Sequence, residues 1–254
     1  MFRRKVREPI VLVGTTCICL LVSAPARASL TRNAAGPRNM GESRALAVDT
    51  SLQLADEEDG RTWTFEIGAQ YQLSRRFQLL AEFVGFERLQ SDISGFTRGT
   101  GDAELTLSWL AFAGSGPLPA AALAARTTLP TSGNSEDGSG DPGYSALFVL
   151  GKEMGELELG LEAEYATGGS PVGEELNDRF LYTITAEYSC NDVLSIYTEL
   201  FGMSRPTAEE SRTDAVLGGV EIDLAVSETV APYVSLEIDT EGVAAARAGV
   251  EWTW

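Results

Sequence analysis

The end of the chain constrains its fold most. Every second residue back from the terminus is apolar: Trp254, Trp252, Val250, Ala248, Ala246, Ala244. The interleaved set is Thr253, Glu251, Gly249 and Arg247. Strand side chains point alternately to opposite faces, so this stretch predicts a strand with one greasy face and one polar face. Two tryptophans crowd one end of it, where an interfacial aromatic girdle would put them. A soluble sandwich has little use for an exposed Trp-x-Trp at its last strand. The closing strand of a membrane barrel ends at the membrane surface, which suits tryptophan. Trp252 and Trp254 are therefore expected to form a terminal signature read by the barrel-assembly machinery.

The opposite end predicts export. Arg3, Arg4, Lys5 and Arg7 precede an apolar run from Ile10 to Val22, and Ala24-Pro25-Ala26-Arg27-Ala28 follows. That is the layout of a signal peptide over residues 1–28, cleaved before Ser29. The run is too short to span a bilayer as a helix. Cys17 and Cys19 lie inside it rather than at its end, so it is not a lipoprotein signal. Cleavage leaves Cys190 alone, with no disulfide framework and no cysteine metal cluster. The segment holds five basic residues and one acidic, so a formal charge of −18 for the whole chain becomes near −22 after it. Such acidity argues against nucleic acid as a partner. The chain has no histidine, which excludes Ser-His-Asp hydrolysis and histidine-ligated zinc. No cofactor or metal motif stands out, and no catalytic residues are assigned.

Residues 29–44 are rich in Arg, Asn, Gly and Pro and predict a flexible periplasmic leader. From 45 to 254 the alternation hardly stops. Trp63, Phe65, Ile67, Ala69, Tyr71 and Leu73 oppose Thr64, Glu66, Gly68, Gln70 and Gln72. Leu157, Leu159, Leu161, Ala163 and Tyr165 alternate with Glu156, Glu158, Gly160, Glu162 and Glu164. The Ala-rich stretch 118–129 and the stretch 144–152, apolar on both sets, leave their facing open. About twelve strands of nine to twelve residues result, the length a tilted strand needs to cross a bilayer. The connections sort by parity. Turns near 74–76, 113–117, 153–155, 190–192 and 225–227 are short, whereas 88–101, 130–143, 166–179 and 203–213 are longer. With the N-terminus in the periplasm, short turns fall on that side and long loops outside. The expectation is all-β: an antiparallel up-and-down transmembrane β-barrel of about 12 strands in the outer membrane. Lipid satisfies no backbone polar group, so only a closed barrel could span without a helix.

The apolar sets should face lipid and the polar sets the lumen. The lumen-facing candidates are Glu66, Glu82, Asp102, Glu104, Arg126, Glu156, Glu158, Glu162, Glu164, Glu187, Glu199, Glu221, Asp223, Glu237, Arg247 and Glu251, together with Asp49. Arg126, Arg247 and Lys152 are the opposing charges. Unpaired carboxylates cost several kcal/mol each to bury, so the lumen should hold water or cations. Each glutamate alone reads as a solvated inward side chain; the set as a whole favours cations over anions. Glu162 and Glu164 project to one side two residues apart, which would also allow a divalent cation between them.

Two stretches carry a family resemblance. Gly99-Thr100-Gly101-Asp102-Ala103-Glu104-Leu105-Thr106-Leu107-Ser108-Trp109 resembles the Gly-Asp-x-x-Leu-x-Leu strand of the MetA-pathway of phenol degradation family, outer-membrane proteins often called transporters. Ala124-Ala125-Arg126-Thr127-Thr128-Leu129-Pro130-Thr131-Ser132-Gly133 resembles that family's next strand and Leu-Pro-Thr-Gly loop, and Gly140-Asp141 follows at similar spacing. The resemblance covers roughly 80–254 and implies an outer-membrane barrel admitting small organic molecules, with no catalytic residues.

The expected function is therefore a transporter or channel for small solutes through a water-filled acidic lumen, favouring cations or neutral organic solutes over anions. Outer-membrane lipid is the surrounding partner. The alternative is a structural or interaction barrel acting through its external loops. Those loops carry few of the aromatics that anchor tight interfaces.

Overall fold

In the computed structural model the alternating stretches pair in chain order and close on themselves. The structure describes residues 46–57, 60–91, 95–132, 141–169, 178–191, 193–204, 213–223, 230–240 and 244–253. The signal-peptide and leader expectations and Trp254 lie outside them. The strands are β1 (Leu46–Glu57), β2 (Gly60–Ser74), β3 (Phe77–Ser91), β4 (Gly95–Gly99), β5 (Ala103–Phe112), β6 (Ala120–Leu129), β7 (Gly143–Met154), β8 (Leu157–Gly168), β9 (Arg179–Ser189), β10 (Leu194–Met203), β11 (Thr213–Asp223), β12 (Val230–Asp239) and β13 (Ala244–Thr253). Each pairs antiparallel with its neighbours, and β1 pairs with both β2 and β13, so the first and last strands seal the ring. Closure leaves no sheet edge among the ring strands, which is what lets a sheet sit in hydrocarbon.

Thirteen strands make a twelve-membered ring because β4 and β5 are one wall strand interrupted. β5 pairs with Phe77–Phe83 of β3, and β4 pairs with Glu87–Ser91 further along the same strand. The stretch 88–101, expected as a long loop, is therefore mostly a hairpin extension of the wall. At the interruption Gly101 donates its N–H to the Val84 carbonyl at 2.9 Å. A Cβ at Gly101 would fall 2.5 Å from the Val84 Cβ, so only glycine lets the strands approach there.

Outward positions are exposed and apolar. Leu105, Leu107, Leu159, Ile184, Val220, Val234 and Leu236 all project from the ring. Aromatics gather at both ends of this surface. Tyr71, Phe77, Trp109 and Tyr188 lie near the short turns, with Phe77 directly opposite Trp109. Trp63, Tyr144, Tyr165 and Phe180 lie near the long loops, with Tyr165 opposite Phe180. Paired girdles of this kind sit at the two membrane interfaces of outer-membrane barrels. Tyr165 donates its hydroxyl to Asp178 at 2.6 Å, and that bond holds the exposed Asp178 carboxyl below its usual range. Trp252 is outward and half-buried, between Val48 and Val230.

Lys152 corrects the sequence reading. It pairs directly with Leu159, an outward residue, and so belongs to the outer face rather than the lumen. Its Nζ donates to the carbonyls of Gly116 and Leu118 in the β5–β6 turn. A lysine near a strand end reaches past the hydrocarbon this way.

Candidate functional site: the barrel interior

Directly paired residues of antiparallel strands share a face, so the register fixes the inner set. One wall is built by β5 to β8. Arg126 of β6 is 7% exposed. Its Nη1 lies 3.1 Å from Glu164 Oε2 on β8, and its Nε lies 3.7 Å from Glu104 Oε2 on β5 and donates to Thr106 Oγ1 at 3.3 Å. Thr128 Oγ1 donates to the other Glu104 oxygen at 3.1 Å. Glu82 and Glu162 also act on the guanidinium through their charge. Four carboxylates thus surround one cation, a formal surplus of three negative charges.

Towards the short turns the same wall changes character. Leu110 of β5, Ala122 of β6 and Val149 of β7 form one cross-strand row and pack as a buried apolar cluster. Ala124 and Leu147 are inward in the next row, Leu80 is inward opposite Thr106 in the row of Arg126, and all three are buried as well. The Ala-rich β6 and the two-faced β7 were the strands whose facing the sequence left open. Towards the short turns their inner faces are apolar, Ala122 and Ala124 on β6 and Leu147 and Val149 on β7, so alternation had nothing to distinguish there.

The opposite wall runs from β10 through β12, β13 and β1 to β2. Arg247 of β13 is 3% exposed. Its Nη2 donates to Gln53 Oε1 on β1 at 3.0 Å and lies 3.4 Å from Glu66 Oε2 on β2. Ser51 Oγ donates to the same Glu66 oxygen at 3.4 Å. Tyr233 of β12 lies across Gly249 of β13, where a Cβ would fall 2.5 Å from the ring, and donates to Asp49 Oδ1 on β1 at 3.4 Å. Tyr197 of β10 repeats the device over Gly219 of β11, with a Cβ at 2.4 Å, and donates to Glu237 on β12. Each tyrosine reaches its acid over a glycine notch. Alternation alone gave no hint of this, because an outward girdle tyrosine has the same period.

The remaining candidates divide by place. Glu162, Glu164 and Glu199 are buried on the inner face, at 7%, 4% and 2% exposure. Asp49, Glu104, Glu158, Glu187, Glu221, Glu237 and Glu251 are inward and half-buried. Glu158 stands directly opposite Glu187, and Glu82 opposite Glu104. Such like-charge neighbours destabilise unless water or cations separate them. Glu156 lies in the exposed β7–β8 turn and not on a strand. Asp102 precedes β5 and accepts the Ser132 N–H at 3.0 Å, while Thr131 Oγ1 accepts the Ala103 N–H at 2.8 Å. The Gly-Asp and Leu-Pro-Thr stretches that carry the family resemblance are thus two halves of one clasp at the long-loop end. The side chain of Asp223 is outside the described residues. Through the waist the interior is filled: Gln78, Thr106, Ser235 and Glu199 are 1–2% exposed. The expected water-filled lumen narrows there to close-packed side chains.

No family model matches the chain, and no curated protein matches it. Solved structures do. An outer-membrane channel from Pseudomonas putida F1 aligns with TM-score 0.65 at 14% identity, covering 83% of this chain and 96% of that one. The NanC porin aligns at 0.57 and 10% identity, covering 83% and 100%, and the KdgM porin at 0.56 and 11%, covering 82% and 99%. Identities this low carry the closed barrel fold and nothing of the cargo.

Proposed function

We propose that the chain is an outer-membrane channel for small solutes with a narrow, acidic waist, passing cations and neutral organic molecules in preference to anions. The observation that carries this reading is the inner face. Among the described residues, twelve inward carboxylates, from Asp49 to Glu251, meet two buried arginines, Arg126 and Arg247. A fold that needed only an apolar exterior would not need that surplus. Field lines from such a set concentrate in a narrow, low-dielectric passage and select by sign. In this reading the short turns face the periplasm, the two aromatic girdles sit at the interfaces, and the terminal strand with Trp252 engages the barrel-assembly machinery. The link to the MetA-pathway of phenol degradation family rests on the clasp residues Gly101, Asp102, Leu129, Pro130 and Thr131, and admission of organic solutes is proposed with it.

The packed waist favours a second reading, a sealed barrel acting through its loops. Refolded protein in planar bilayers under a salt gradient separates the two. The channel reading expects discrete conductance steps and a reversal potential of the cation-selective sign. Anion selectivity would overturn the acidic-lumen account, and silence from a folded barrel would leave the sealed reading standing.

A further inference from the structure

We infer that Leu80, Leu110, Leu147 and Val149, with Ala122 between them, form a desolvated constriction that favours solutes bearing an apolar group over hydrated inorganic ions. The inference rests on the channel reading and adds a second selective element to it, distinct from charge.

Nothing in the barrel's geometry requires apolar side chains at these inward positions. In the same cross-strand row as Leu110, Ala122 and Val149 the chain places Glu162 on β8 and Thr183 on β9, and in the row of Leu147 it places Ser108 and Glu164. The patch is therefore confined to β3, β5, β6 and β7. Its members are 1–6% exposed, so no film of water covers them. Leu110 is held close to the short-turn rim, its N–H donating to the Arg76 carbonyl at 2.8 Å. Along β6 the inward residues run Ala122, Ala124, Arg126. On β6, a solute passing from Arg126 towards the short turns meets this apolar surface, with Glu162 and Glu164 flanking it on β8.

An inorganic cation crossing it sheds water against the leucines and finds oxygen ligands only at the edge of the patch, where Glu162 pairs with Val149 and Glu164 with Leu147, a partial form of hydrophobic gating. A solute carrying an alkyl or aryl group instead buries that group against the leucines. Charge attracts the solute at the nest and the apolar patch then selects among cations. The class that satisfies both is a small organic ammonium with an apolar substituent.

The test uses the refolded full chain in planar bilayers, with methylammonium and n-butylammonium as probes of equal charge, beside potassium. The wild type should pass butylammonium in preference to methylammonium, against the order of size. The double substitution Leu110→Ser and Val149→Thr wets the patch and leaves Arg126 and its glutamates in place. It should raise potassium conductance roughly threefold and restore the order of size. Val149→Thr alone, nearly isosteric, carries the test if the double variant fails to fold, with folding scored by heat-shifted gel migration. Cation-selective conduction that follows size in the wild type, or is unchanged in the variants, overturns the constriction and leaves the channel reading intact. A silent wild type with a conducting variant supports the constriction as a closed gate. Silence from both, in folded barrels, overturns both.

Discussion

Arg126 and Arg247 lie on nearly opposite walls, each the seventh residue from the short-turn end of its strand, β6 and β13. Their surroundings differ. Arg247 works across the seam where the chain closes, binding Gln53 on β1 and Glu66 on β2, with Tyr233 bridging from β12 to Asp49 beside it. Its carboxylates are committed to holding neighbouring strands together. Arg126 sits among Glu82, Glu104, Glu162 and Glu164, more carboxylate than one guanidinium can balance. Below it the wall turns apolar. An inward acid counted from alternation can thus be tied to a neighbouring strand or gathered in surplus around one cation, and only its neighbours decide which. The seam wall is tied for closure, and in the proposed channel the β5–β8 wall does the selecting.

The largest expected effect tests the nest. Arg126→Met should leave its glutamates facing one another in a dry waist and destabilise the folded barrel by about 3–5 kcal/mol, the usual cost of removing one partner from a buried ionic group. Urea unfolding in lipid vesicles measures it. A loss under 1 kcal/mol would mean the four carboxylates are already well hydrated. The next effect asks whether the walls agree on their outer surface. Leu161→Arg on β8 and Val220→Arg on β11 should each cost about 2–4 kcal/mol in the same assay. A neutral outcome at either position would remove that wall from the hydrocarbon.

The seam is probed more gently. Gly249→Val puts side-chain atoms where the Tyr233 ring lies and should cost about 1–3 kcal/mol by overpacking. It should also slow barrel closure, seen as delayed heat-shifted migration after refolding, whereas Gly218→Val, on the outer face of β11, should not. Smallest is Tyr197→Phe, which removes the hydroxyl donated to Glu237 and should cost about 1 kcal/mol. Cation selectivity should survive it. If Tyr197→Phe shifted the reversal potential as strongly as Glu164→Gln, the division between a closing wall and a selecting wall would fail.

Much of the fold was legible because a barrel repeats one simple rule. The period of two over β2, β5 and β8, and the apolar set ending at Trp252, identify wall strands that face two different media. Legibility failed where that contrast vanished. The two-faced β7 is apolar inside as well as outside, since Leu147 and Val149 join the inner patch. Glu156 continues the alternation of β8 on paper, yet the backbone has already entered its turn. Lys152 reads as a lumen charge by its sign, but its pairing with Leu159 puts it outside. The tie of Arg247 to Gln53 spans 194 positions, a separation only closure of the ring brings together.

Reversal potential across a planar bilayer tests the central claim most directly. With wild-type protein in a salt gradient, the account predicts a cation-selective potential that weakens when Glu162 and Glu164 are both changed to Gln. A potential of the anion-selective sign, or a cation preference untouched by removing those two charges, would contradict it.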